Sequence, residues 1–209
     1  MNATKTKNAT SRSKGAVGPN ALVPRVVENY FGHSTRGLRV LDYGAGKHAL
    51  HAERMKQAHP DWKVLTVECG DNFDSLRHNM TPDILRGVGG HFDVAYASNV
   101  LNVQTTWRDV VEVVADLHNS IHQDGFVVVN LPISPRKAAW SHSRASNGVD
   151  GTRERSEDAD ALRALLSGFF GRIELASLCT KSAPVFVLGV KIEPMTNWER
   201  NKPKAPQKL

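Results

Sequence analysis

The feature that most constrains the fold is the run VLDYGAGKHAL at residues 40–50. Its apolar start predicts a buried strand that ends near Tyr43, and Gly44 and Gly46 predict a sharp turn in which the backbone can approach a ligand closely. The residues after the turn predict a helix whose first amides point into the same crevice. The run therefore predicts a strand, turn and helix with a ligand site beside Asp42.

Strands alternate with helices along the middle of the chain, and uniformly apolar strands are typical of a parallel sheet. The predicted strands are residues 38–43, 62–70, 91–103 (running into a loop), 126–132, 172–179 and 185–192. The predicted helices are residues 21–31, 47–60 (stopped by Pro60), 106–125 (closed by Gly125) and 156–171 (with a serine cap). Only TKSAP separates the last two strands, which is too short for a crossover helix, so we expect them to pair antiparallel.

Composition limits the classes of protein. With 209 residues, 40% hydrophobic and 23% charged, one sizeable core in a single domain is expected. No segment predicts a membrane span or a secretory signal, which favours a cytoplasmic protein. Cys69 and Cys179 are too few for a disulfide framework and are expected in the core. His118 and His122 are spaced like metal ligands on a predicted helix, but no third ligand accompanies them, so no metal site is predicted.

The formal charge of +6 comes largely from the ends of the chain. Residues 1–20 carry four basic residues and no acidic one, which predicts a disordered basic arm. Residues 194–209 form a second basic tail with prolines, leaving 21–193 as the folded domain. Such tails bind phosphate backbones, and solubilising termini are the alternative.

The long segment after the predicted strand 126–132 is the candidate substrate element. Residues 132–150 leave the carboxyl end of strand 126–132, the edge where open α/β sheets bind ligands. Positive charge and an aromatic ring suit phosphate contact and base stacking. The residues concerned are Arg136, Lys137, Trp140, His142 and Arg144. A surface loop with a locally packed tryptophan is the alternative.

The order of elements, the acidic residue before a glycine turn and the closing antiparallel pair resemble the class I S-adenosylmethionine-dependent methyltransferases over residues 21–193. The resemblance implies an α/β fold: a Rossmann-like three-layer sandwich with a mostly parallel sheet of seven strands, or six, and a C-terminal antiparallel strand pair. It also implies S-adenosylmethionine as cofactor and methyl transfer as activity. The basic tails and the segment from Arg136 to Arg144 make nucleic acid the leading acceptor class, and a small-molecule acceptor stays open.

When the family's cofactor-binding positions are matched to this sequence, the resemblance implies cofactor contacts from the turn and from the ends of two further strands. The implied residues are Asp42, Gly44, Ala45 and Gly46 in the turn, Glu68 for the ribose hydroxyls, and Ser98 and Asn99 beside the cofactor and entering substrate. A carboxylate suits two adjacent hydroxyls because it offers two acceptor oxygens.

The chain also departs from the family pattern. His48 stands where the family often has a small residue, and the third-strand acid that commonly meets adenine has no clear match, with Asp83 a weak candidate. Residues 98–102 read SNVLN, where many amino-methylating nucleic-acid enzymes have an Asn-Pro-Pro-aromatic motif. The sequence therefore argues against that DNA adenine chemistry.

Two other interpretations stay open. A relaxed dinucleotide-binding fingerprint is matched by Gly44, Gly46 and Ala49, with an acidic residue about twenty positions later. This pattern is typical of NAD-binding oxidoreductases. Asp42 favours the methyl donor, because a carboxylate is unfavourable beside pyrophosphate but suits a cofactor with a sulfonium and an ammonium group. The second alternative is a noncatalytic scaffold that keeps the fold while its basic tails contact nucleic acid.

Methyl transfer requires mainly placement of the acceptor, so no catalytic residue is assigned. Asn99 or Asn102 are candidates to hydrogen-bond an acceptor, with loop capping as the alternative. Tyr96 and His48 are candidates to assist proton removal.

Overall fold

The structure is a computed structural model and describes residues 21–104, 106–130, 153–177 and 184–190. Helices and strands alternate along these residues. The helices are α1 (Leu22–Phe31), α2 (Leu50–Ala58), α3 (Pro82–Val88), α4 (Trp107–Ser120) and α5 (Arg153–Phe169). The strands are β1 (Arg39–Tyr43), β2 (Lys63–Val67), β3 (Phe92–Ala97), β4 (Ile121–Asn130), β5 (Arg172–Leu175) and β6 (Val185–Gly189).

The strands form one six-stranded sheet in the order β2-β1-β3-β4-β6-β5. The four strands from β2 to β4 run parallel, and β6 is antiparallel to both of its neighbours. Asp42 on β1 lies opposite Thr66 on β2 and Tyr96 on β3. The mostly parallel α/β sheet with a C-terminal antiparallel pair is confirmed, with six strands among the described residues.

Apolar side chains on both faces of the sheet make it the middle layer of a three-layer sandwich. Val40 on β1 belongs to the cluster that includes Val26 of α1 and Met55 of α2. Its neighbour Leu41 belongs to the cluster that includes Leu117 of α4. Leu85 of α3 and Leu166 of α5 join that second cluster. Successive residues of β1 therefore serve opposite layers, as strand geometry requires.

Beyond β2, where the family would place another strand, the chain makes only a single parallel bridge between Val67 and Met80. The amides of Asn79 and Met80 donate to the Thr66 carbonyl at 3.1 and 3.2 Å. A side chain adds to this contact, because the Thr66 amide donates to Asn79 Oδ1 at 2.9 Å. The Asn79 amide donates in turn to Thr66 Oγ1 at 3.1 Å. Asp83 lies on α3 and pairs with Arg86 at 3.1 Å.

The predicted helix over residues 106–125 is wrong at its end. The helix stops at Ser120, and Ile121 begins β4 opposite Phe92. His122 therefore lies in a strand, where its Nε2 is 3.1 Å from Asp93 Oδ1, and does not share a helix face with His118. Gly125 lies within β4, at a place where a Cβ would be 2.8 Å from Ile121 Cβ.

Two helix starts also differ from prediction. Helix α2 begins at Leu50 and not at Lys47, because the chain first passes through Ala49 in the left-handed region at φ 47°. Helix α5 begins at Arg153, so Ser156 lies inside the helix and does not cap it. Among the described helices, none combines the length and the apolar character that a membrane crossing requires.

A buried carboxylate connects β1 to the outer helices α3 and α4. Asp116 on α4 accepts from Arg86 Nε at 2.7 Å and from Arg86 Nη2 at 2.9 Å. The Tyr43 hydroxyl, at the end of β1, donates to the same carboxylate at 2.9 Å. Since Asp116 is only 6% exposed, its charge depends on these partners.

Replacing Arg86 by methionine should lower the free energy of unfolding by about 2–3 kcal/mol, because it leaves the Asp116 charge buried without its cation. Urea denaturation measures the change. The matched control is Arg108→Met on α4, whose pair with Glu112 is exposed and should contribute less than about 0.5 kcal/mol. Equal effects of the two substitutions would contradict the prediction.

Candidate functional site

The glycine turn follows β1 directly and is fixed to β2. Gly44 has φ +75° and Gly46 has φ +71°, both in the left-handed region that favours glycine. The amides of Gly44 and Ala45 donate to the Val67 carbonyl at 2.9 and 3.2 Å. A Cβ at Gly44 would lie 2.5 Å from Val100 Cγ2, so the turn has no room for a side chain at that residue.

Glu68 follows β2 and holds the turn from one side. Its Oε2 accepts from the Gly46 amide at 2.7 Å and its Oε1 accepts from the Cys69 amide at 2.9 Å. The residue is 2% exposed. Because each carboxylate oxygen can accept a second hydrogen bond, the group keeps acceptor capacity beside the turn.

His78 also contacts this turn, through the Gly46 carbonyl, and the sequence predicts no role for it. Its Nδ1 accepts from the Asp74 amide at 2.9 Å, which leaves the proton on Nε2. Nε2 is 2.9 Å from the Gly46 carbonyl oxygen and donates to it. No motif indicates this contact, because the two residues are 32 positions apart.

Asp42 lies in the middle of the sheet and is 2% exposed. Burial raises the pKa of its carboxyl from 3.8 to about 7; the Tyr96 hydroxyl beside it lowers that pKa, and the charge of Glu68 raises it. Its Oδ2 has no hydrogen-bond partner among the described residues. A buried acceptor without a donor is unfavourable in the protein alone and is suited to a cationic ligand group.

Further polar atoms are buried where β3 ends. Within the described part of the chain, Ser98 Oγ and Asn102 Oδ1 have no hydrogen-bond partner. The Tyr96 hydroxyl makes no hydrogen bond of full geometry with any described residue, although its contact with Asp42 lowers the pKa of that carboxyl. Burial raises the pKa of Tyr96 well above its ordinary value, and the charge of Asp42 and the contact with it act in the same direction. This phenol therefore stays protonated near neutral pH and is unsuited as a base.

Asn99 joins the ends of β3 and β4. Its amide donates to Asn130 Oδ1 at 2.7 Å, and Asn130 Nδ2 donates back to Asn99 Oδ1 at 2.8 Å. This pair holds Asn99 in the left-handed region at φ 58°. The arrangement favours a structural role for the Asn99 side chain, while its backbone remains at the edge of the site.

Other candidates lie away from this site or outside the described residues. His48 is exposed after the turn, and His118 packs its ring against Phe169 and Phe170. The described residues contain no group of three or more His, Cys, Asp or Glu able to hold a metal ion. The candidate substrate element, both basic tails and Cys179 lie outside the described residues.

Neither a family model nor a curated protein sequence matches this chain. Solved structures do match its fold. A SAM-dependent methyltransferase from Archaeoglobus fulgidus aligns with a TM-score of 0.52 at 11% identity, over 80% of this chain and 92% of its own. An O-methyltransferase family protein from Burkholderia thailandensis aligns with a TM-score of 0.53 at 11% identity, over 80% of this chain and 54% of its own.

The CurJ carbon methyltransferase aligns with a TM-score of 0.51 at 17% identity, over 77% of this chain and 50% of its own. The chain thus spans about half the length of this structure and of the Burkholderia protein. The protein has the fold of the class I S-adenosylmethionine-dependent methyltransferases, as its sequence predicts.

Asp42→Asn should stabilise the protein at pH 8 and change little at pH 4. The pKa of the Asp42 carboxyl is about 7 in the folded state against an ordinary 3.8. Between these two pH values the folded state keeps a proton that the unfolded state has released, so the folded state loses stability as the pH rises. Stability is therefore lost between about pH 4 and 7, by up to about 4 kcal/mol, and asparagine removes that loss. Thermal unfolding at both pH values measures it.

The control is Asp61→Asn, since Asp61 is exposed, and its change should stay within about 0.5 kcal/mol at either pH. Destabilisation by Asp42→Asn at pH 8 would show that the ionised carboxylate is compensated in the folded protein.

Proposed function

We propose that this protein binds S-adenosylmethionine and transfers its methyl group. The observation that carries the proposal is a pair of buried carboxylates, Asp42 and Glu68, on either side of a glycine turn at the carboxyl ends of adjacent parallel strands. Open α/β sheets bind ligands at this edge. The fold shared with methyltransferases supports the same conclusion.

The residues present fit this cofactor. Asp42 would accept from the ammonium group, because its Oδ2 is a buried acceptor with no partner within the described residues. Glu68 would accept from the ribose hydroxyls through its remaining acceptor positions, and the Gly44 to Gly46 backbone would line the amino-acid part. The cofactor supplies an activated methyl on a sulfonium. The protein then has to orient an acceptor and exclude water.

The dinucleotide alternative is less consistent with the sheet and with Asp42. An antiparallel strand, β6, lies between β4 and β5, whereas the dinucleotide-binding fold is built from parallel βαβ units. The buried Asp42 carboxyl also precedes the first glycine by two residues, where negative charge would face a pyrophosphate.

For the acceptor we propose a nucleic acid. The support is in the sequence: a formal charge of +6 with basic residues concentrated in both tails and between Arg136 and Arg144. A small-molecule acceptor is the alternative, and the cytoplasmic location stays a prediction. No described residue is assigned as a general base.

Calorimetric titration should detect S-adenosylmethionine and S-adenosylhomocysteine but not NAD. Asp42→Asn and Glu68→Gln should each weaken binding at least about tenfold, because each removes a charged acceptor. Asp61→Asn is the matched control and should bind like the unaltered protein.

Binding of NAD alone would move the protein to the dinucleotide class, and no binding at all by folded protein would refute the proposal. Binding without S-adenosylhomocysteine release on any acceptor tested would favour the noncatalytic scaffold.

The nucleic-acid proposal predicts that labelled RNA or DNA binds with an affinity that falls as salt rises. Fluorescence anisotropy measures this affinity between about 50 and 200 mM salt, where phosphate contacts weaken strongly. Deleting residues 1–20 removes four basic residues and should reduce both the affinity and the salt slope. Unchanged binding after deletion of each tail, with Arg136 and Lys137 also replaced by alanine, would contradict it.

A further inference from the structure

Gly46 in the glycine turn is held at both of its polar backbone atoms, which belong to the two peptide groups on either side of its Cα. The Gly46 amide donates to Glu68 Oε2 at 2.7 Å, while the Gly46 carbonyl accepts from His78 Nε2 at 2.9 Å. Both partners come from the segment that follows β2, and both are buried, at 2% and 4% exposure. The backbone conformation at Gly46 therefore depends on the segment from Glu68 to His78.

That segment is folded around His78. The Asp74 amide donates to His78 Nδ1 at 2.9 Å, and the His78 amide donates to the Asp74 carbonyl at 2.8 Å. The Phe73 ring lies 5.8 Å from the imidazole. Asn79, the next residue, bonds to Thr66 of β2. The imidazole thus has a fixed position relative to the sheet.

Both nitrogens of the imidazole are in use, and in opposite senses. Nδ1 accepts, so it carries no proton, and Nε2 therefore carries the proton that it donates to Gly46. One neutral tautomer alone makes both contacts. A change in the φ or ψ angle of Gly46, which join these two peptide groups, would break the bond to Glu68, the bond to His78 or both.

We propose that His78 is a positioning residue of the cofactor site: by holding the Gly46 carbonyl it fixes the backbone conformation at Gly46, so that the Gly46 amide holds Glu68 in the orientation that receives the ribose hydroxyls. This inference rests on the proposed function and deepens it. His78 acts through Gly46 and Glu68, so loss of its Nε2 donor should weaken cofactor binding without removing a cofactor contact.

Two substitutions separate the two bonds of the imidazole. In His78→Gln the side-chain amide nitrogen reaches the place of Nε2 and keeps the donor to Gly46, while the Asp74 contact is lost. In His78→Asn the amide oxygen reaches the place of Nδ1 and keeps the Asp74 contact, while the donor to Gly46 is lost. Each variant thus loses one hydrogen bond, and their stabilities should be similar.

The affinity for S-adenosylhomocysteine, measured by calorimetry, should be about tenfold weaker in His78→Asn and near that of the unaltered protein in His78→Gln. The Gly46 amide proton should exchange faster with solvent in His78→Asn than in His78→Gln. Equal affinities in the two variants, or losses that follow only their thermal stability, would overturn the inference while leaving the proposed function intact. Failure of the unaltered protein to bind would overturn both.

A measurement on the unaltered protein does not depend on how the variants fold. The nitrogen-15 spectrum of the imidazoles should show His78 as the neutral tautomer with its proton on Nε2, and this proton resonance should move when S-adenosylhomocysteine is added. A proton on Nδ1, or a resonance that stays in place as the ligand saturates the protein, would overturn the inference.

Discussion

The site depends on the parallel pairing of β1 between β2 and β3. Parallel strands end at the same edge of a sheet, and this pairing brings Asp42 near the residue that follows β2, Glu68. The chain must leave the sheet immediately after β1, where the space beside Val100 excludes a side chain, so glycine is required at position 44. The contacts from Val67, Glu68 and His78 hold the turn in that place.

The two ends of the strands differ in how their charges are satisfied. At the amino end, Asp93 accepts from the Arg39 amide, Arg36 and His122, and although burial opposes it, these contacts lower the pKa of the carboxyl. At the carboxyl end, Asp42 is buried with one oxygen lacking a donor within the described residues. The first arrangement supports folding, and the second is a cost in stability that a cationic ligand would offset.

Local patterns account for the part of the fold that the sequence predicts. Neighbouring residues are enough to predict the strand that ends at Gly44, the turn at Gly44 and Gly46, and the antiparallel pairing across the short link before β6. They also place Glu68 at the end of the second strand. The end of α4 is different, because Ile121 continues the helical spacing of Leu117 and the competing strand pairing with Phe92 is distant in sequence. The Gly46 and Asn99 contacts join residues 32 and 31 positions apart, so no local signal indicates them.

The last two residues of β1 face opposite layers, and this ties the glycine turn to the outer helices. Tyr43, immediately before Gly44, donates to Asp116, which also holds Arg86 of α3. A fluctuation that separates α4 from β1 therefore breaks the bond of the residue that immediately precedes the turn, and one that separates α3 from α4 leaves the Asp116 charge without its cation. A ligand that binds only the closed arrangement would therefore also stabilise the contacts of β1 with α3 and α4.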